Sequence, residues 1–137
     1  TELAGAYAAL ARGGLYEPLH FAGFAALADS ARVDRGKPAP VRVVDAPIAA
    51  ILTDVLSDDD ARLPAFGAES ALELPFPVAA KTGTSKGYRD NWTVGFTHEV
   101  TVAVWVGNFD GSPMLGSSGV TGAGPLFHDV MLAAMRG

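Results

Sequence analysis

A lysine, two threonines, a glycine and a serine stand together at Lys81-Thr82-Gly83-Thr84-Ser85. An ammonium group at that position attracts anions and depresses the pKa of nearby acids or hydroxyls. Three hydroxyls and one position without a side chain sit beside the charge. The bare position permits a ligand to lie antiparallel along the backbone, as in strand addition. A backbone N–H at Thr84 can then serve as half of an oxyanion hole. Strand alternation puts Lys81 and Gly83 on one side and Thr82 and Thr84 on the other. A lone lysine more often blunts an exposed sheet edge. The hydroxyl-rich run behind Lys81 tips the balance toward a site.

The elements that must hold this run can be read from hydrophobic period. From Val78 the period becomes two, which predicts strands over Val78–Thr84, Asn91–Thr97 and Val100–Asn108. Turns at Ser85–Asp90 and His98-Glu99 join them into a three-stranded antiparallel meander. In the last strand Val102, Val104 and Val106 share one face and Trp105 takes the other. Both faces are apolar, so helices are expected to cover both sides.

Upstream, Thr1 and Glu2 can cap a helix with Leu3, Tyr7, Leu10 and Ala11 on one face, stopped at Gly13-Gly14. Leu15 to Phe24 can hold a short strand broken by Pro18 and Gly23, and residues 25–40 read as a loop. Val41–Val44 is a short extended run. Asp45 caps a helix with Pro47 in its first turn and an apolar stripe of Ile48, Ile51, Leu52, Val55 and Leu56. Asp58-Asp59-Asp60 would oppose the dipole at that helix's C-terminus, so it is assigned to a loop, with residues 58–76 irregular. Asp110–Gly124 is a loop with five glycines. Pro125 opens a last helix with Leu126, Phe127, Val130, Met131 and Ala134 on its inner side.

Other candidates weigh less. Arg89-Asp90 closes a hairpin turn, and Arg89 can also reach a carboxylate. Trp92 and Trp105 read as packing residues. Gly119-Val120-Thr121-Gly122-Ala123-Gly124 resembles an anion-binding loop, but no Gly-Lys-[Ser/Thr] completes it, and it reads as a flexible lead-in to the last helix. His20, His98 and His128 lack metal-ligand spacing, and no EF-hand pattern surrounds the three aspartates, so neither a metal nor a cofactor is expected.

Composition bounds the rest. The chain has 137 residues, 49% hydrophobic and 18% charged, enough for one domain, or a large piece of one, with a real core. Its formal net charge is −5 and its ten basic residues are scattered, which argues against nucleic acid. Without cysteine it has neither disulfide nor thiolate metal site. No apolar stretch is long enough to span a bilayer, so no membrane contact is expected of this segment. A chain that opens on Thr1 without a basic-then-apolar leader reads as an excised segment, and any anchor would lie outside it.

Five stretches in order carry a resemblance. They are Glu2–Ala11 with Gly13-Gly14; Ala79-Ala80-Lys81-Thr82-Gly83-Thr84-Ser85; Arg89-Asp90-Asn91-Trp92-Thr93-Val94-Gly95-Phe96-Thr97; Val104-Trp105-Val106-Gly107-Asn108-Phe109-Asp110-Gly111; and Gly119–Phe127. Together they resemble the C-terminal half of a penicillin-binding protein transpeptidase domain, of the class A bifunctional kind and the 1C type in particular. Lys-Thr-Gly is the third signature that this family shares with serine β-lactamases. The resemblance implies an α+β fold in which the meander is part of a five-stranded sheet packed with helices. Residues 1–137 would be a partial transpeptidase domain. It implies serine acyl transfer on the D-Ala-D-Ala end of a peptidoglycan stem peptide, trapped by β-lactams, outside the cytoplasm in the periplasm. By resemblance Lys81 is the third-motif catalytic lysine and the Thr84 N–H an oxyanion donor. Thr82 and Thr84 bind the substrate carboxylate beside Gly83 and Ser85.

The chain departs from the family in one respect. Three residues before Lys37, Lys81 and Lys86 stand Asp34, Val78 and Gly83, so there is no Ser-x-x-Lys. Two residues before Asn91 and Asn108 stand Arg89 and Val106, so there is no Ser-x-Asn. The segment alone is therefore expected to be inactive. An unpaired, apolar Val100–Asn108 edge is expected to drive homo-oligomerisation. The alternatives are a β-lactamase-like fragment and a non-catalytic cell-wall peptide-binding module.

Overall fold

The computed structural model describes residues 1–19 and 38–136. Its elements run α1 (Glu2–Ala11), β1 (Leu15–Tyr16), β2 (Val41–Arg42), α2 (Ala46–Ser57), α3 (Asp59–Phe66), β3 (Ala79–Thr84), β4 (Asp90–Phe96), β5 (Thr101–Gly107), a π-helical turn (Gly119–Ala123) and α4 (Gly124–Ala134). The expected meander is present, with strand order β3-β4-β5 and every pairing antiparallel. Its strands end within one residue of expectation. Thr97 leaves β4 because its hydroxyl accepts the Glu99 and Val100 amides at 3.1 and 3.2 Å, closing the two-residue turn at His98-Glu99.

Helices cover both faces. On one, Val102 and Val104 join Leu72, Val78, Ala80, Ala123, Phe127 and Met131 in the core beneath α4. Gly95 is required there: a Cβ would lie 2.7 Å from Phe127 Cζ and 2.6 Å from the Ala79 carbonyl oxygen. The Phe127 ring occupies the space a side chain would need. On the other face α1 lies against β4 and β5 and α2 against β3. Tyr7 meets Phe96 edge-on at 6.4 Å between ring centroids.

Several elements differ from expectation, each for a local reason. The aspartates are not loop. Asp58 caps α3 by accepting the Ala61 amide at 3.0 Å, and Asp59 and Asp60 occupy its first turn. They thus face the positive end of a second helix, where carboxylates are favoured. α3 also tolerates Pro64, ending two residues later. In α2 the apolar stripe points outward: Ile48, Ile51, Leu52 and Val55 are exposed, and Ala49 is buried. Small residues allow α2 a closer approach to its neighbours than the branched side would. α1 likewise buries Gly5, Ala8 and Ala9 rather than Leu3. In α4 only Phe127 and Met131 of the expected inner set are fully buried, and Leu126, Val130 and Ala134 are exposed. Of the expected 15–24 strand, Leu15–Tyr16 is present and pairs with Val41–Arg42, and residues 17–19 are not strand. Residues 20–24 and most of the 25–40 loop lie outside the described residues, as does His20. Gly14, at φ +91°, ends α1 beside the Val44 carbonyl, which a Cβ would strike at 1.9 Å.

Candidate functional site on strand β3

β3 is an edge strand of the sheet among the described residues, and its two halves differ. Ala79 and Ala80 are buried, whereas Lys81, Gly83 and Thr84 are exposed and Thr82 half-buried. The Ser85 amide donates to the Asp90 carbonyl at 2.9 Å, and Gly83 faces Trp92 in register. Antiparallel alternation then directs the Lys81 and Gly83 backbone groups at β4. Those of Thr82 and Thr84 point away from the sheet. The Thr84 N–H, the candidate oxyanion donor, therefore lies on the outer edge. The Lys81 ammonium folds back onto the Thr82 carbonyl on that same edge.

Among the described residues no steric demand explains Gly83. A Cβ there would meet Trp92 Cβ, at an ordinary 3.7 Å, and its φ is not in the left-handed range. The missing side chain leaves open space along the exposed half of β3. Trp92 and, beyond it, Trp105 continue the row across the sheet.

The hydroxyls divide their work. Ser85 Oγ accepts the Asp90 amide at 2.8 Å, pinning the hairpin. Thr84 Oγ1 accepts the Gly119 amide at 2.9 Å. Thr82 sits opposite Thr93 on β4. Arg89 is exposed in the turn, where Gly87 and Tyr88 both have positive φ. Asp90 does more than end that turn, since its Oδ1 accepts Trp105 Nε1 at 3.0 Å.

The glycine-rich segment forms a π-helical turn where an irregular loop was expected. Ser118 caps it in a reciprocal box with Thr121, and the Gly119 and Gly122 amides are already engaged. It docks on β3 and β4 from beneath the candidate site. Asn91, fully buried, donates through Nδ2 to Ser117 Oγ at 2.7 Å, and its Oδ1 has no hydrogen-bond partner among the described residues. Sequence reasoning missed Asn91, Thr93 and Gly119 as supports. Polar residues at inward strand positions opposite a glycine-rich turn were the available signal.

His98 pairs with Glu99 at 3.1 Å and His128 reaches the Ala71 carbonyl at 3.2 Å, at separate places in the fold. An apolar cleft of 300 Å³ lined by Phe76, Phe96, His98 and Met135 lies at the Ala79–Phe96 end of the sheet, away from Thr84.

Comparison with known proteins agrees with this layout. The family model described as penicillin binding protein transpeptidase domain matches residues 1–132. Penicillin-binding protein 1C of Escherichia coli is 39% identical over 80 residues, covering 58% of this chain and 10% of its own length. Penicillin-binding protein 1A of Mycobacterium tuberculosis is 32% identical, covering 99% of this chain and 17% of its own length. The chain thus spans less than a fifth of the curated relatives it matches. Among solved structures, penicillin-binding protein A from M. tuberculosis, as an imipenem acyl-enzyme complex, superposes with a TM-score of 0.60 over 96% of this chain and 30% of its own, at 24% identity. That likeness speaks to the fold. On the family match, the chain belongs to the penicillin-binding protein transpeptidase domains.

Proposed function

We propose that these residues supply the Lys-Thr-Gly substrate-binding strand of a peptidoglycan D,D-transpeptidase. The exposed half of β3, with outward Thr82 and Thr84 backbone groups and open space at Gly83, carries the reading. A stem peptide or a β-lactam lies along that edge as an added strand. Lys81 provides positive charge at the reacting centre. The Thr82 and Thr84 hydroxyls bind the guest carboxylate, and the Thr84 N–H donates to the oxyanion of the tetrahedral intermediate. Ser85 fixes the end of the strand. The acyl acceptor is an amine of a neighbouring stem, and the reaction runs outside the cytoplasm.

The chain holds no Ser-x-x-Lys. Nucleophile and general base must come from polypeptide of the same domain beyond these residues. Residues 1–137 alone form no covalent adduct with labelled penicillin, and a labelled band on a denaturing gel would refute that. In a polypeptide that also carries the nucleophile, Lys81→Ala lowers the second-order acylation rate by about 100-fold, the scale of removing one group that acts in the transition state. An unchanged rate would end the assignment of Lys81.

β5 is the other edge of the sheet among the described residues. We infer that further strands of the domain complete a larger sheet beside it. When these residues stand alone, a second copy pairs there. A monomer by light scattering at micromolar concentration contradicts the pairing.

A further inference from the structure

We propose that Thr93 and Gly119 are positioning residues that set the Thr84 hydroxyl as a donor toward a carboxylate guest. The inference rests on the reading of Thr84 given above. A hydroxyl has one proton and two lone pairs. One lone pair of Thr84 Oγ1 is engaged by the Gly119 N–H at 2.9 Å. The proton is left for an acceptor on the exposed side. A hydroxyl that accepts one hydrogen bond is polarised to donate another.

Gly119 can impose this because it is bonded on both sides and closely packed. Its carbonyl accepts the Thr93 hydroxyl at 2.9 Å, and Thr93 is fully buried. A Cβ on Gly119 would lie 2.9 Å from the carbonyl oxygens of Gly83 and Trp92 and 3.0 Å from the Gly83 nitrogen. Those are backbone atoms, which do not yield as a flexible side chain does. The Ser118–Thr121 box and the Asn91–Ser117 bond hold the flanks. A buried strand residue is thereby connected to the half-buried hydroxyl of an exposed residue through one glycine. Thr93 lies under the strand and touches no guest.

The test uses the intact enzyme, which carries its nucleophile, and reads acylation by benzylpenicillin and by its methyl ester. Thr93→Val keeps the shape and removes the hydroxyl. The expected result is a loss of about 3- to 10-fold in the second-order rate with benzylpenicillin, the worth of one hydrogen bond. The loss falls in the binding constant before the acylation step. With the methyl ester, which lacks the anionic acceptor, the change stays within about twofold, and Thr93→Ser restores the benzylpenicillin rate. Should Thr93→Val fail to fold, Ser118→Ala loosens the same turn from its partly exposed side and is expected to show the same preference. Equal losses with both compounds, or none with benzylpenicillin, overturn the positioning role. Failure of the unmodified enzyme to be acylated at all overturns the transpeptidase reading instead.

Discussion

Trp105 Nε1 donates to Asp90 Oδ1 at 3.0 Å, joining the last strand of the meander to the turn that follows Ser85. Asp90 is also held by Ser85 through its amide and its carbonyl. One residue, through its carboxylate on one side and its backbone on the other, therefore ties β5 to the end of the Lys-Thr-Gly strand. Trp105→Phe keeps the ring packing and removes the donor. It is expected to cost about 1 kcal/mol, seen as a lower urea midpoint at unchanged slope. Asp90→Asn retains an acceptor at the same atom and is expected to cost less. Equal stability of Trp105→Phe and the parent would show that the bond contributes nothing.

Gly95 and Phe127 share one volume, because a Cβ at 95 would come within 2.7 Å of the ring. Gly95→Ala is expected to destabilise by about 1–3 kcal/mol through overpacking. Phe127→Leu on the same background opens the space the new methyl group needs. The double substitution should then cost less than the sum of the two single ones, as neighbours in contact do. Strict additivity in denaturant titrations would mean that the methyl group is accommodated by backbone movement instead.

Tyr7 has its phenol pKa raised above 10.0 by burial against the sheet. The folded state thus holds this proton more tightly than the unfolded chain. The associated stability is fully present below pH 10 and is lost as pH rises through the folded value. Tyr7→Phe keeps the edge contact with Phe96 and removes the titrating group. The variant is expected to lose less stability between neutral pH and pH 11 than the parent does. Parallel stability curves across that range would show that Tyr7 ionises as freely folded as unfolded.

The meander was legible because period two is a local signal, and Val78, Val102 and Val104 obey it on the buried face. Lys81–Ser85 stands out in the sequence because charge, hydroxyls and a bare backbone position adjoin there, and the structure puts most of that run on an exposed strand. The helix faces were not. α2 carries an apolar stripe, yet Ala49 meets the fold and Ile51 faces out at 63% exposure. Periodicity reports which residues share a side and is silent on which side a neighbour will take. The aspartate run was misplaced for a related reason. Its charges disfavour the end of one helix and favour the start of the next, and only Asp58 bonding to Ala61 distinguishes the two. The link from Thr84 to Gly119 spans 35 residues and no local pattern contains it.

Arg62 is a support that no sequence pattern marks, and its removal should be damaging. Its guanidinium donates to the carbonyls of Leu56, Leu72 and Val78 at 2.9, 3.2 and 3.0 Å, with its side chain only 12% exposed. Those three carbonyls belong to the end of α2, the loop after α3 and the residue before β3. One fork therefore gathers the segments that lead into the Lys-Thr-Gly strand. Asp59 also pairs with it at 3.0 Å but is 60% exposed, so that contact is screened and contributes little. Arg62→Ala strands the carbonyls and is expected to cost about 3 kcal/mol. Arg62→Lys should recover little of it, because a compact ammonium cannot span three acceptors in a planar fork. Asp59→Asn should cost under about 1 kcal/mol. If Asp59→Asn proved as costly as Arg62→Ala in urea titrations, the ion pair, and not the carbonyl fork, would be what holds β3 in place.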